Sequence, residues 1–513
     1  MKKNVLKFIL GLKIRRLRSK RGYSLKDLSL RSGLSHSYLN EIEKGKKYPK
    51  VEKIISLASA LGVDKEELLN VKMGKQFHPL MEFLESNLAN NLPLSAFGIG
   101  EQDIYDIMSH GPEKFASFIM TVAELAKSYD ISVDDLNKSA LRTYIEINSN
   151  YFPFLEELGS SYSRQIKEII SGDCYEKMTE RLMLKLKKEF GVAVDLRTLG
   201  SGARPLGLKS IYREKKKNKV LFVNCNLDYK QKIFALIKEL GAQQLVSDDS
   251  NKRRDPLKKQ FGDLLLDFQT HYFACAVLLP EEDFVKEIQT VFQLPHFDEN
   301  LFNKILARSA APEEILMGRL AQILPRHFKL NQLFYLRCNE DYAKAPGSYF
   351  ISQELHLGQL HHPHGVSLRE RYCRRWITTS VLGLLSDQIA ENSNGINEEK
   401  SEGVILGTQI SQMGESGAPY FCLSLARKRT TVEGVISSLT LGIPIDESFK
   451  ARIQFSEDPR IEKKVVGRTC ERCSLSDCEE RVAPPSILLR ERLEEEKRNS
   501  IKEILELDTR VKR

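Results

Sequence analysis

The sequence predicts a multidomain chain: an all-α head, an α+β middle, and an α+β C-terminal part with antiparallel strands. Three observations predict this. At 513 residues the chain is too long for one compact core. Helical periodicity broken by glycines runs from Leu6 to Leu69, whereas strand-like runs fill the region from Gly403 to about Val466. Charge is also uneven. Residues 1–76 hold 19 Lys/Arg and 7 Asp/Glu, a net +12 against +9 for the whole chain, so the rest is −3. A basic module on a nearly neutral body points to a polyanion partner for that module alone.

Five short helices are expected in the head. "LKFILGLKIRRLRSKRG" places Phe8, Ile9, Leu12, Ile14 and Leu17 near helical spacing and ends at Gly22. Its apolar run is broken by Lys7 and continues into further basic residues, unlike a signal peptide, so a cytoplasmic protein is expected. "SLKDLSLRSG" starts on Ser24, an N-cap residue, and stops at Gly33; "HSYLNEIEKG" starts after Ser35 and stops at Gly45. "VEKIISLASALG" and "DKEELL" complete the set.

The second and third helices, joined by "SGLS", have the form of a helix-turn-helix, with Gly33 supplying the positive φ of the turn. Leu34 and Ile42 are expected to anchor the third helix on the core. The run "LSHSYLNEIEKGKKYPKVEKIISLASALGV" resembles the Xre/phage-repressor type. The resemblance implies that the third helix enters the major groove of double-stranded DNA, with His36, Ser37 and Asn40 toward base edges. Ser24, Lys26, Ser35, Lys44, Lys46 and Lys47 are candidates for further DNA contact, the lysines and Ser24 at phosphates. Ser29 stands where that type usually has alanine, and its hydroxyl is expected to bond the preceding turn.

Residues 77–150 read as a helical connector, with dimerisation as the alternative role. A middle domain is drawn at 151–340: an amphipathic helix in "EKMTERLMLKLKKEFGVAV", a hairpin in "SIYREKKKNKVLFVNCNLD", a helix in "QKIFALIKELGAQQLV", and one more across "DFQTHYFACAVLLPEEDF". The order and the block "YFACAVLLP" resemble the IrrE/ImmA-like metallopeptidases, which implies an α+β peptidase-like fold. In an active member two histidines one helical turn apart bind zinc around a general-base Glu. Here Glu239 is in place, but Lys238 and Ala242 stand at the histidine positions and Gln269 near the acidic ligand. A cationic Lys and a methyl group cannot ligate zinc, so the expectation is a scaffold without metal catalysis, and no enzyme.

A C-terminal domain is drawn at 341–485 and a charged helical tail at 486–513. "GVILGTQIS", "APYFCLSLARK", "GVISSLTLGIPI" and "ARIQFS" read as strands, able to surround a small-molecule pocket. His361, His362 and His364 fit a polar loop better than a metal site. Six of the nine cysteines are scattered singly, whereas Cys470, Cys473 and Cys478 open on a C-x2-C spacing. That spacing suits a structural zinc or iron–sulfur site, with Cys373 or a clustered histidine as a fourth ligand; packed or redox-sensitive thiols are the alternative.

The head, the peptidase-like body, "HHPHGVSLRERYCRRW" and "TCERCSLSDCEERVAPP" together resemble the short-chain fatty-acyl transcriptional regulators. What this implies is a homodimeric bacterial regulator of carbon metabolism, tuned by an acyl-CoA or related metabolite. Two other readings stay open: a protease acting on a repressor, and a DNA-bound stress-response regulator or scaffold acting through protein interactions without a ligand. No glycine-rich nucleotide loop and no membrane span is expected.

Overall fold

A computed structural model describes residues 2–69, 132–170, 174–200, 208–215, 218–245, 261–340, 348–358, 370–393, 404–414, 417–428 and 435–511, with single positions at 97, 121 and 124. Most of the expected connector, at 77–131, and the histidine cluster lie outside the described residues. The chain divides into two compact units, one of residues 1–144 with 259–264, the other of 145–258 with 265–513.

The first unit opens with α1 (Lys2–Lys20), α2 (Leu25–Ser32), α3 (His36–Glu43), α4 (Val51–Leu61) and α5 (Lys65–Leu69). Each contributes to one core: Leu10 and Ile14, Leu28, Leu39 and Ile42, Ile54 with Leu57 and Leu61, and Leu68 are all buried. Gly33 and Gly62 end their helices in the left-handed conformation, at φ 68° and 57°, as helix C-caps favour.

The next helix, α6 (Val133–Ile147), leads into the second unit. There follow α7 (Pro153–Gln165), α8 (Lys167–Ile170) and α9 (Tyr175–Phe190), then a small sheet of β1 (Val192–Asp195), β2 (Ser210–Lys215) and β3 (Asn218–Val223). Its order is β1-β3-β2, with β1 parallel and β2 antiparallel to β3. Helices α10 (Tyr229–Leu245), α11 (Phe261–Leu278), α12 (Glu281–Phe292), α13 (Glu299–Arg308) and α14 (Glu313–Phe328) come next. The single helix expected across "DFQTHYFACAVLLPEEDF" is therefore two. Pro280 has no N–H to continue α11, and it begins α12 instead.

The larger sheet contains β4 (Leu333–Glu340), β5 (Tyr349–Leu357), β6 (Val404–Met413), β7 (Pro419–Lys428), β8 (Ile436–Pro444) and β9 (Lys463–Val466). The order is β5-β4-β8-β7-β6-β9, antiparallel except for β6 with β9. A boundary at 340 falls between β4 and β5, which are paired neighbours; the sheet and its core run continuously across it. "ARIQFS" is not a strand. Asp446 caps a short α16 (Glu447–Lys450), and a 3-10 turn follows at Gln454–Glu457.

Every residue of β8 is buried, because both sheet faces are covered. On one side lies α15 (Ile377–Ser393), bringing Trp376, Val381 and Leu385 against Phe334 and Tyr420. On the other, Leu316, Leu320 and Leu324 of α14 join Phe421, Leu439 and Leu441. The strands thus pack between helices. The last helix, α17 (Ser486–Val511), is the expected charged tail.

Candidate nucleic-acid interface

Helix α3 is built to be presented. Ser35 caps it by accepting the Tyr38 N–H at 3.3 Å, while Leu39 and Ile42 hold its inner face. That leaves His36 and Ser37 exposed and Asn40 half-buried at the outer, N-terminal end. Ser24 forms a capping box with Asp27: its Oγ accepts the Asp27 N–H at 3.1 Å and the Asp27 carboxylate accepts the Ser24 N–H at 2.8 Å. The hydroxyl bond also holds the exposed Asp27 carboxyl below its usual pKa. Ser24 therefore fixes the start of α2 while remaining exposed beside Lys26.

The turn carries a bond that differs from expectation. Ser29 Oγ donates to the Leu34 carbonyl at 2.6 Å, across the turn and not back into α2, because the chain reversal at Gly33 brings that carbonyl over the serine.

Two features set the angle of α3 and are invisible in the local pattern. Arg18 of α1 makes a bidentate pair with Glu43 at 2.7 and 2.9 Å and donates to the Tyr23 carbonyl at 2.8 Å. Gly11 lets α1 lie directly on the end of α3; a Cβ there would overlap the Ile42 carbonyl oxygen. Beyond α3, Lys46 and Lys47 are exposed and Lys44 is half-buried. Lys47 reaches Glu41 at 2.8 Å, and Lys53 lies 4.4 Å over the Tyr38 ring. A row of cations beside the exposed end of a capped helix suits a phosphate backbone flanking a groove.

Residues 14–68 match the helix-turn-helix family HTH_3. The uncharacterized HTH-type transcriptional regulator y4dJ of Sinorhizobium fredii is 38% identical over 61 residues, 12% of this chain and 79% of that protein. The chain belongs to the HTH-type transcriptional regulators. The regulator is also 39% identical over 57 residues to the HTH-type transcriptional regulator DdrOP3 of Deinococcus deserti, 11% of this chain and 44% of that one. A solved structure of a Mycobacterium tuberculosis transcriptional regulator matches 68% of this chain and 93% of its own, at 18% identity and a TM-score of 0.44. Among the described residues no helix is long and apolar enough to cross a membrane.

In the body of the regulator, the "KELGA" segment lies in α10 with its residues occupied. Lys238 Nζ pairs with Asp267 of α11 at 2.6 Å. The buried Glu239 accepts from Gln243 Nε2 at 2.6 Å. Gly241 and the buried Ala242 are small for a packing reason: a Cβ on Gly241 would overlap the Phe273 ring of α11. Gln269 is half-buried on α11. His271 packs edge-on to Phe234, and burial and then Lys238 push its pKa down to about 3. It stays neutral near pH 7, and among the described residues no three His, Cys, Asp or Glu side chains gather to hold a metal ion.

Around this segment the fold concentrates charge that sequence spacing could not reveal. Glu314 pairs with Lys209 and reaches Arg337 at 4.0 Å; Arg427 bridges Glu313 and Asp228 at 3.1 and 3.3 Å; Lys230 meets Glu313 at 3.3 Å. Burial alone would raise the Glu314 carboxyl, yet Lys209, Arg337 and Arg427 hold it well below the usual carboxylate range.

The cysteine segment is held by other groups. Cys470 is buried in a short 3-10 turn, and Cys473 and Cys478 are half-buried. Arg481 donates to the carbonyls of Cys470, at 2.9 Å, and of Leu475. Glu370 accepts from Arg472 and Thr469, and Arg371 pairs with Glu471 at 3.1 Å. Gly467 lies against two thiols: its N–H points to Cys373 Sγ at 3.4 Å, and a Cβ would meet Cys473 Sγ at 2.9 Å. Among the described residues Cys470, Cys473 and Cys478 are not gathered into a group of three that could hold a metal ion, and the histidine cluster considered as a fourth ligand lies outside them.

Proposed function

We propose that this regulator controls genes of carbon or short-chain fatty-acyl metabolism, binds its operator as a dimer, and answers to a short-chain acyl-CoA or related metabolite. The observation that carries the DNA half is the exposed, capped N-terminus of α3, with His36, Ser37 and Asn40 on it and Lys46 and Lys47 beyond it. The effector half is supported by the cations around α10. Lys209, Lys230, Lys238, Arg337 and Arg427 lie there among Asp228, Asp267, Glu313 and Glu314, a concentration of cations of the kind that suits a phosphate or carboxylate. The body serves regulation and not peptide hydrolysis, since its metal-ligand positions hold Lys238 and Ala242. For control to follow, the metabolite must bind the DNA-competent and DNA-incompetent states unequally.

Thermal melting of the full chain with short-chain acyl-CoAs tests the effector half. A ligand of the folded body at about a hundred times its Kd adds about 2.7 kcal/mol of stability, a rise of several degrees. Lys238→Ala is expected to diminish the rise. An undiminished rise would move the ligand away from α10. No rise with any acyl-CoA would favour the DNA-bound scaffold, a reading to which the covered faces of the six-stranded sheet also lend support.

A further inference from the structure

Helix α9 carries apolar side chains on its outer side as well as its inner one. The inner face serves the core, where Met178, Leu182 and Leu186 are buried. Leu184 is nevertheless 66% exposed, and Met183 is only half-buried. The helix ends at Gly191, whose left-handed φ of 68° turns the chain straight into β1. Between the two elements runs a groove of about 450 Å³, lined by Glu180, Met183, Leu184 and Lys187 of α9 and by Ala193 and Val194 of β1.

Both walls of this groove suit a second copy of the same chain. Strand β1 is at the end of the small sheet, and among the described strands it is bonded to β3 alone. Alternate residues of such a strand turn their N–H and C=O groups outward, ready for a further strand. The helical wall complements itself. Glu180, Met183, Leu184 and Lys187 stand at i, i+3, i+4 and i+7, within about 100° around the axis. Laid antiparallel to its copy, with a two-fold axis passing between Met183 and Leu184, the helix sets Met183 beside Leu184 of the other copy and Glu180 beside Lys187. Symmetry repeats both contacts, so the apolar pairs take the centre and an ion pair closes each end. Because the groove brings Ala193 and Val194 next to Met183 and Leu184, the same axis runs between the two β1 edges.

We propose that the groove between α9 and β1 is a self-association surface. Two copies of this chain join β1 to β1, antiparallel, into one six-stranded sheet, with Met183 and Leu184 buried between paired α9 helices and Glu180 facing Lys187. The pairing would supply the two copies required by the dimeric operator reading and rests on that reading for its use. It is measured without DNA, so it can fail while two copies still meet on an operator.

The test is the self-association constant of the full chain, from sedimentation equilibrium at low salt. Glu180, Leu184 and Lys187 are all exposed, and an unchanged urea midpoint of the Trp376 fluorescence checks that each variant is folded. Leu184→Asp is expected to abolish dimers over the range in which wild type forms them. Glu180→Lys and Lys187→Glu each turn two attractions into two repulsions and are expected to weaken association about tenfold. The double substitution Glu180→Lys/Lys187→Glu restores most of the lost association. Hydrogen exchange of the β1 amides is expected to be slower in wild type than in Leu184→Asp at the same concentration. Dimers indifferent to Leu184→Asp would overturn the proposal. So would a monomeric wild type, which would leave the groove to an extended segment of another protein. A double variant no better than the singles would overturn the antiparallel helix pairing, and β1 amides that exchange equally fast in both proteins would overturn the joined sheet.

Discussion

Replacing Glu156 by alanine is expected to destabilise the body by about 3–5 kcal/mol, the loss typical of a buried charge stripped of its partner. Arg319 on α14 has no exposed surface. Its guanidinium meets both Glu156 oxygens, at 2.5 and 2.7 Å, and, among the described residues, otherwise the Leu279 carbonyl and the Gln322 side chain, each at 3.0 Å. Tyr272 of α11 donates to the same carboxylate at 2.5 Å and accepts the Phe152 N–H at 3.3 Å. One carboxylate thus joins α7, α11 and α14. Without it, Arg319 keeps its charge among neutral acceptors, and the Tyr272 hydroxyl loses its acceptor. Trp376, the single tryptophan and 3% exposed, reports unfolding of this unit by its fluorescence. The urea midpoint is expected to drop sharply in Glu156→Ala, and to recover much of the loss in Glu156→Leu/Arg319→Met, where both charges are gone. A change of less than about 1 kcal/mol in the single variant would show that the pair is not isolated from water as described.

Gly11→Ala is expected to impair the head, against the rule for helices. Alanine ordinarily gains about 1 kcal/mol over glycine inside a helix. Here the new methyl would overlap the Ile42 carbonyl oxygen and lie 2.9 Å from that of Glu43, both main-chain atoms that cannot rotate aside. Helix α1 must then back away from α3, which also loosens the Arg18–Glu43 pair. Overpacking of this kind costs about 1–3 kcal/mol. DNA affinity is expected to fall while the Trp376 unfolding curve of the body stays in place. A head that melts higher than wild type would contradict the close approach of α1 and α3.

The head was legible because its signals are local. Ser24, Gly33, Ser35 and Gly45 mark helix ends by backbone chemistry, and the burial of Leu28, Leu39 and Ile42 follows the helical period. Arg18 with Glu43 was not legible, since nothing in spacing joins residues 25 apart. In the body, β6, β7 and β8 could be read from their apolar runs, whereas "ARIQFS" could not be distinguished from a strand because a short run carries too little period. The division at 340 misled for a different reason: β4 is bonded to β8, about a hundred residues away, and long-range pairing leaves no mark on the sequence between. The partner of Lys238 was likewise not legible, since Asp267 lies on the next helix, 29 residues away.

The most direct test of the central claim, that this chain reads DNA through α3, is the affinity of full-length wild type and Asn40→Ala for a site selected from random duplexes. Asn40→Ala is expected to lose about 1–3 kcal/mol at the selected site, roughly tenfold to a hundredfold, with affinity for unselected DNA unchanged. Equal affinity of the two proteins at the selected site, repeated for His36→Ala and Ser37→Ala, would contradict it.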